Sequence, residues 1–287
     1  MAEVWGAETM GSNKGNKGSA ATAAILALLL LILTVLTVYI FVVKKWWFPP
    51  AISEIGKEID QQFMRTLWIT GIVFVLAQLG LAWAIFRFRS RGQRATYSHG
   101  NNVMEVVWTL ATAVMFIGLG VLSQVTWAKV RIHPAPPEAM RIEVIGQQFK
   151  WAFRLPGPDG KFGKYKFEAH PEQEFTRDPW VVDPDDPDGK DDVVLGPGSV
   201  IAVVVDQPVE LLIRSKDVTH SFFVRELRLK QDAVPGMTVP LQFTATVPGE
   251  YQVVCAELCG LGHHSMGTFL KVLSKEDYAA WLKDMSQ

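Results

Sequence analysis

Only two cysteines occur among the 287 residues, too few for a disulfide-stapled scaffold, so Cys255 and Cys259 must be read from their position rather than their number. Neither charge sign is in excess: 28 Lys and Arg stand against 29 Asp and Glu, a formal net charge of -1. That balance argues against nucleic acid as a partner and leaves any charge-guided contact to local patches. Charged side chains are also missing from three runs, residues 20–43, 67–86 and 106–128. Each is roughly 20 residues or longer, enough to cross a bilayer as a helix whose backbone groups are all satisfied internally. The hydrophobic share, 49%, is high for a soluble chain and agrees with a membrane anchor in contact with lipid.

The segment 1–19 is then a cytoplasmic tail, 20–128 an anchor of three spans, and 129–287 one extracytoplasmic domain. Lys14 and Lys17 ahead of an apolar run resemble the start of a secretory leader. The run is longer than a usual leader core, and Lys44-Lys45-Trp46-Trp47 follows as an interface anchor with no small-residue cleavage site. A retained helix fits better, with a processed leader as the alternative. Arg87, Arg89, Arg91 and Arg94 crowd the connection between the second and third runs, which places that connection in the cytoplasm and sends the third span outward. By the same parity residues 53–62, with Glu54, Glu58 and Asp60, lie outside.

Beyond residue 129 the pattern changes to short β-branched runs at 141–145, 200–205, 209–213, 241–247, 251–254 and 268–272, punctuated by Pro197-Gly198, Gln207-Pro208 and Pro248-Gly249. Short strands between such turns predict an all-β sandwich or barrel. Ser274 followed by Asp277, with Tyr278, Trp281, Leu282 and Met285 at helical spacing, predicts a terminal helix packed on it. The stretch from Phe153 to Leu195, carrying Asp183, Asp185, Asp186, Asp188, Asp191 and Asp192, reads as a loop or a pair of loose strands on the surface; its acids are a solvated face, or with Asp217 steer a basic partner if they face the metal.

The chemistry is concentrated in Cys255-x-x-x-Cys259-x-x-x-His263-x-x-Met266, between the last two predicted strands. Thiolate and thioether are soft ligands that select copper among the common metals, imidazole suits it, and a weak Met marks electron-transfer copper sites. Zinc sites do not recruit Met in this way. A second thiol four positions after the first allows both sulfurs to face one place, so that two bridging thiolates hold two copper ions. His220, at the end of a β-branched run, is the candidate for a further imidazole. The competing reading of the two cysteines, a disulfide on the exported side, explains neither His263 nor Met266.

Val218-x-His220 together with that motif resembles the binuclear CuA signature of cytochrome c oxidase subunit II. Leu229-Lys230-Gln231-Asp232-Ala233-Val234-Pro235-Gly236, Gly146-Gln147-Gln148-Phe149-Lys150-Trp151 and Glu105-Val106-Val107-Trp108-Thr109 resemble family segments in the same order. The resemblance implies three transmembrane α-helices followed by an all-β, cupredoxin-like Greek-key domain on the periplasmic side of a bacterial plasma membrane. It implies copper ligands His220, Cys255, Cys259, His263 and Met266 with the main-chain carbonyl of Glu257. It also implies a carboxylate at Glu257 that helps bind magnesium at the boundary with subunit I, and a start of a proton path at Glu105. The implied partners are subunit I and other oxidase subunits, with cytochrome c as electron donor.

Glu105 at a membrane boundary is costly unless it lines water or meets a partner; an interfacial carboxylate that simply ends a span is the plainer reading. Trp151 is either sandwich core or a docking or relay aromatic. Against the family pattern, the first of two usual tryptophans is Phe149, a usual proline is Thr112, and residues 20–43 are extra to a family that often has two spans. No Cys-x-x-Cys-His is present, so the heme-bearing fusion of some relatives is absent. A CuA-bearing subunit of a nitric oxide reductase is the nearest alternative, which Glu105 disfavours. A membrane-tethered copper chaperone or stand-alone cupredoxin is the alternative from another class, and a quinol oxidase subunit lacks the two thiols.

Overall fold

The computed structural model describes residues 14–44, 47–91, 96–97, 99–165, 183 and 185–286, with the side chains of 14–18 excepted. Most of the expected tail, the side chains of Lys14 and Lys17, Lys45, Trp46 and Arg94 therefore lie outside the described residues. The chain divides into two compact units, residues 1–48 with 63–118, and residues 49–62 with 119–287.

Three long helices, α1 (Lys14–Val43), α2 (Glu54–Arg87) and α3 (Asn102–Arg131), carry the three apolar runs, and each is long and apolar enough to cross a membrane. Most of their large side chains are exposed, as lipid-facing helices require. Helix α2 starts earlier than its apolar run because Ser53 caps it: the hydroxyl accepts from the Gly56 N–H and donates to the Leu227 carbonyl, each at 2.9 Å. Ile55 and Ile59, one turn apart, then pack against the β core. Asp60, expected on the outer side, pairs with Arg228 at 2.7 Å, and Glu58 with Lys129 at 2.7 Å.

The β domain is two five-stranded sheets. One has the order β3 (Val193–Leu195), β2 (Lys150–Leu155), β1 (Met140–Gln147), β5 (Pro208–Ser215), β8 (Val239–Thr244). The other has the order β4 (Ile201–Val204), β10 (Gly267–Leu273), β9 (Gly249–Cys255), β6 (His220–Val224), β7 (Leu229–Ala233). Pairing is antiparallel except β1 with β5 and β4 with β10. Alternation places Val209, Leu211 and Ile213 of β5 inward, where with Trp151 and Phe153 of β2 they share one core with Phe222, Val224, Val253, Leu270 and Val272 of the second sheet. This is a β-sandwich. Strand β4 is buried along its whole length, as its unbroken Ile-Ala-Val-Val predicts. Tyr278 and Trp281 of α4 (Lys275–Met285) pack on the core, and Ser274 caps that helix through the Asp277 N–H at 3.1 Å.

Strands β2, β6 and β7 lie outside the β-branched runs, and β3 falls in the stretch read as a loop or a pair of loose strands. In β2 the large apolar residues Trp151, Phe153 and Leu155 alternate with Lys150, Ala152 and Arg154, yet the outward Arg154 is fully buried as well, so both faces of the strand are enclosed. It meets Glu143 through Nε at 2.6 Å and Asp192 at 3.2 Å, under the rings of Phe162 and Tyr165. The acidic loop is thus partly pinned rather than wholly solvated: Asp192 accepts from the Gly163 N–H at 3.0 Å and Asp186 from the Lys164 N–H at 2.8 Å.

Candidate metal centre

Three adjacent strands deliver the side chains that the sequence singles out. Cys255 ends β9, Met266 directly precedes β10, and His220 opens β6. Phe222 of β6 stands opposite Cys255, and the Cys255 N–H donates to the Met266 carbonyl at 3.1 Å. The loop between β9 and β10 therefore starts and finishes at one end of the sandwich, and Cys259 and His263 lie within it. His220 and Met266 are fully buried, and Cys255 and Cys259 are 7% and 4% exposed.

The donor atoms converge. The sulfurs of Cys255 and Cys259 are 3.9 Å apart, far beyond the ~2.05 Å of a disulfide, and both cysteines are free. His220 Nδ1 lies 3.9 Å from the Cys255 sulfur, and the Glu257 carbonyl oxygen lies 3.1 Å from it. His263 Nδ1 and the Met266 sulfur lie 3.7 and 3.8 Å from the Cys259 sulfur. Ligating atoms of His220, Cys255 and Cys259 all fall within 4.8 Å of one another. His264, next to the loop imidazole, is exposed.

Electrostatics agree with a cation at this point. Burial, then the neighbouring Cys255 sulfur, pushes the Cys259 thiol up to about 11. Two thiolates this close in a dry pocket repel one another, and a bound metal ion reverses that preference by neutralising both. Soft sulfur donors, two imidazoles presented through the same nitrogen and a carbonyl oxygen fit copper.

Supporting groups fix the orientation of His220. Its Nε2 faces Asp217 Oδ1 at 2.8 Å, leaving Nδ1 for the sulfurs, the arrangement in which a carboxylate behind an imidazole sets its tautomer. Burial would raise the Asp217 carboxyl, but the Gln148 N–H, His220 and the Val218 N–H together hold it below the ordinary carboxylate range. On the other side the Trp151 ring stands edge-on to His220, 6.0 Å between centroids, and edge-on to Phe222 at 5.4 Å. Trp151 is fully buried, because its place in β2 turns the ring inward. Gly146 is required beside it, because a Cβ there would stand 2.9 Å from His220 Cδ2 and 3.0 Å from Trp151 Cζ3.

Glu105 is exposed in the first turn of α3, where a carboxylate is favoured by the helix dipole. The Glu257 carboxylate is exposed, and among the described residues it joins no cluster of three or more metal-ligating side chains. Among the described residues nothing supports magnesium binding. Sequence reasoning missed Gln148 and the role of Asp217 behind His220. An acid three residues before an imidazole was the available signal for the second, and the family-like segment 146–151 for the first.

Residues 140–273 match the family described as cytochrome C oxidase subunit II, periplasmic domain, and residues 41–125 match cytochrome C oxidase subunit II, transmembrane domain. Most of α1 precedes both matches. The alternative cytochrome c oxidase subunit 2 of Bradyrhizobium diazoefficiens is 37% identical over 243 residues, covering 83% of each chain. Cytochrome c oxidase subunit 2 of Cereibacter sphaeroides is 30% identical over 251 residues, 82% of this chain and 78% of the relative. The probable cytochrome c oxidase subunit 2 of Rickettsia bellii is 31% identical over 241 residues, 82% of each. Anchor and sandwich are matched together, in a family for which copper binding is expected. The chain belongs to the cytochrome c oxidase subunit II family: it is a membrane-spanning subunit of a heme-copper oxidase with its β domain in the periplasm.

Proposed function

We propose that this chain receives electrons one at a time from cytochrome c at a dicopper centre and hands them to heme in oxidase subunit I, where oxygen is reduced to water and protons are translocated. The ligands are His220, Cys255, the main-chain carbonyl of Glu257, Cys259, His263 and Met266. The observation that carries this reading is a pair of free, buried thiols 3.9 Å apart, each with an imidazole Nδ1 within 3.9 Å. Copper held there supplies reversible one-electron chemistry. The chain's own contribution is to keep the donors still: three hydrogen-bonded strands fix His220, Cys255 and Met266, and Asp217 fixes the imidazole ring. Enclosed thiols favour a resident centre over the exchangeable site of a copper chaperone. Trp151, edge-on to His220, is the candidate relay toward the surface, and Glu105 the candidate start of a proton path.

In the assembled oxidase, Cys255→Ser is expected to bring cytochrome c-driven oxygen consumption to background while a small-molecule reductant still reduces the heme of subunit I. Undiminished turnover with cytochrome c contradicts the assignment. Supplying nitric oxide in place of oxygen to the unaltered oxidase separates the two possible acceptors.

Gly146→Ala tests the packing behind His220. The added methyl meets two ring edges that have no room to retreat, so a stability loss of about 1–3 kcal/mol is expected, together with reduced copper occupancy. Denaturant unfolding and copper analysis of the full chain read the two effects separately.

A further inference from the structure

We propose that Gln148, in the turn between β1 and β2, is a positioning residue that ties the two halves of the ligand set together; the inference rests on the dicopper reading above. The halves are far apart in sequence. His220 stands alone at the start of β6, while the other donors lie between Cys255 and Met266. Gln148 reaches both. Its main-chain N–H donates to Asp217 Oδ2 at 2.7 Å, and the other oxygen of that carboxylate meets His220 Nε2 at 2.8 Å. Its side-chain amide donates to the Cys259 carbonyl at 2.7 Å.

Packing reinforces the same contact. A Cβ at Gly260 would stand 3.0 Å from Gln148 Nε2, and one at Gly262 would stand 2.4 Å from the adjacent Phe149 ring. The ligand loop thus lies directly against the turn, and Gly260, at φ +129, has a conformation that L side chains rarely adopt. The amide-to-carbonyl bond holds the peptide that follows Cys259, and through it the direction of the Cys259 sulfur toward Cys255, His263 and Met266. Loss of the bond frees that peptide to rotate. The turn itself is closed by the pairing of Gln147 with Lys150, so the side chain is dispensable for the hairpin and matters to the donors.

The test uses the full chain purified in detergent and loaded with copper, unaltered and as Gln148→Ala and Gln148→Met; both variants keep the main-chain bond to Asp217 and lose the amide. Each is measured by copper content, electron paramagnetic resonance, reduction potential and release of copper to a chelator. The unaltered chain is expected to show one electron shared equally between two nuclei. Both variants are expected to load copper, to share the electron unequally, to have a shifted potential, and to lose copper roughly ten- to a hundredfold faster. If Gln148→Ala does not fold, Gln148→Met decides alone. Variants with the hyperfine pattern, potential and release rate of the unaltered chain overturn the proposal. An unaltered chain that shows no shared electron defeats the dicopper reading itself, and the positioning role with it, before any variant is considered.

Discussion

Replacing Cys255 or Cys259 by serine is expected to leave a folded chain that no longer holds two coppers, and the two substitutions are expected to differ. A hydroxyl is a hard, weakly acidic donor and does not replace a bridging thiolate. Without Cys255, the remaining sulfur still has His263 Nδ1 at 3.7 Å and the Met266 thioether at 3.8 Å. That group has the donors of a single copper site of the Cys, His, Met kind. Without Cys259, the remaining sulfur has His220 Nδ1 at 3.9 Å and the Glu257 carbonyl at 3.1 Å, with no thioether beside it. Cys255→Ser should therefore keep one localised copper and Cys259→Ser should bind more weakly. Copper analysis with electron paramagnetic resonance distinguishes them; two coppers in either variant contradict bridging by both thiols.

The second large effect is expected on the opposite face of the first sheet, where stability and metal chemistry come apart. Arg154 is fully buried between Glu143 and Asp192, with Tyr165 also bonded to Glu143. Burial raises the Asp192 carboxyl, while the Gly163 N–H and Arg154 pull it back. Arg154→Ala removes the fully buried cation, leaving Glu143 to Arg214 at 3.7 Å and, among the described residues, Asp192 to the Gly163 N–H alone; breaking a comparable buried pair costs about 3–5 kcal/mol. Denaturant midpoints of the full chain should fall accordingly, with or without copper. The hyperfine pattern should not change, because Arg154 points away from the core that carries His220. An unchanged midpoint would show that the ion cluster contributes little to holding the fold.

Most of this architecture is legible in the sequence because its signals are local. Charge-free runs mark the helices, β-branched runs between Gly and Pro mark β4, β5, β9 and β10, and Ser274 marks the start of α4. The donor set is legible for a related reason: four of its side chains fall within twelve consecutive positions, and their softness names the metal. The rest depends on contacts that sequence spacing does not encode. Strand β2 carries a buried arginine, which only an ion cluster from distant residues makes tolerable. Strand β7, Leu-Lys-Gln-Asp-Ala, is polar enough to read as loop and is a strand because β6 pairs with it. Ser53 caps α2 ahead of its apolar run, and its second bond goes to a residue in the β domain. Trp151 is ambiguous by pattern, and only the pairing of β2 puts its ring on the inward face. Gln148 lies in a family-like segment that says nothing of its partner, and its link to Cys259 spans 111 positions.

The measurement that bears most directly on the central claim is an electron paramagnetic resonance spectrum of the purified full chain with copper counted on the same sample. Two coppers per chain and a hyperfine pattern from one electron spread evenly over both nuclei are expected. A colourless chain without metal, with Cys255 and Cys259 joined to each other, would contradict it.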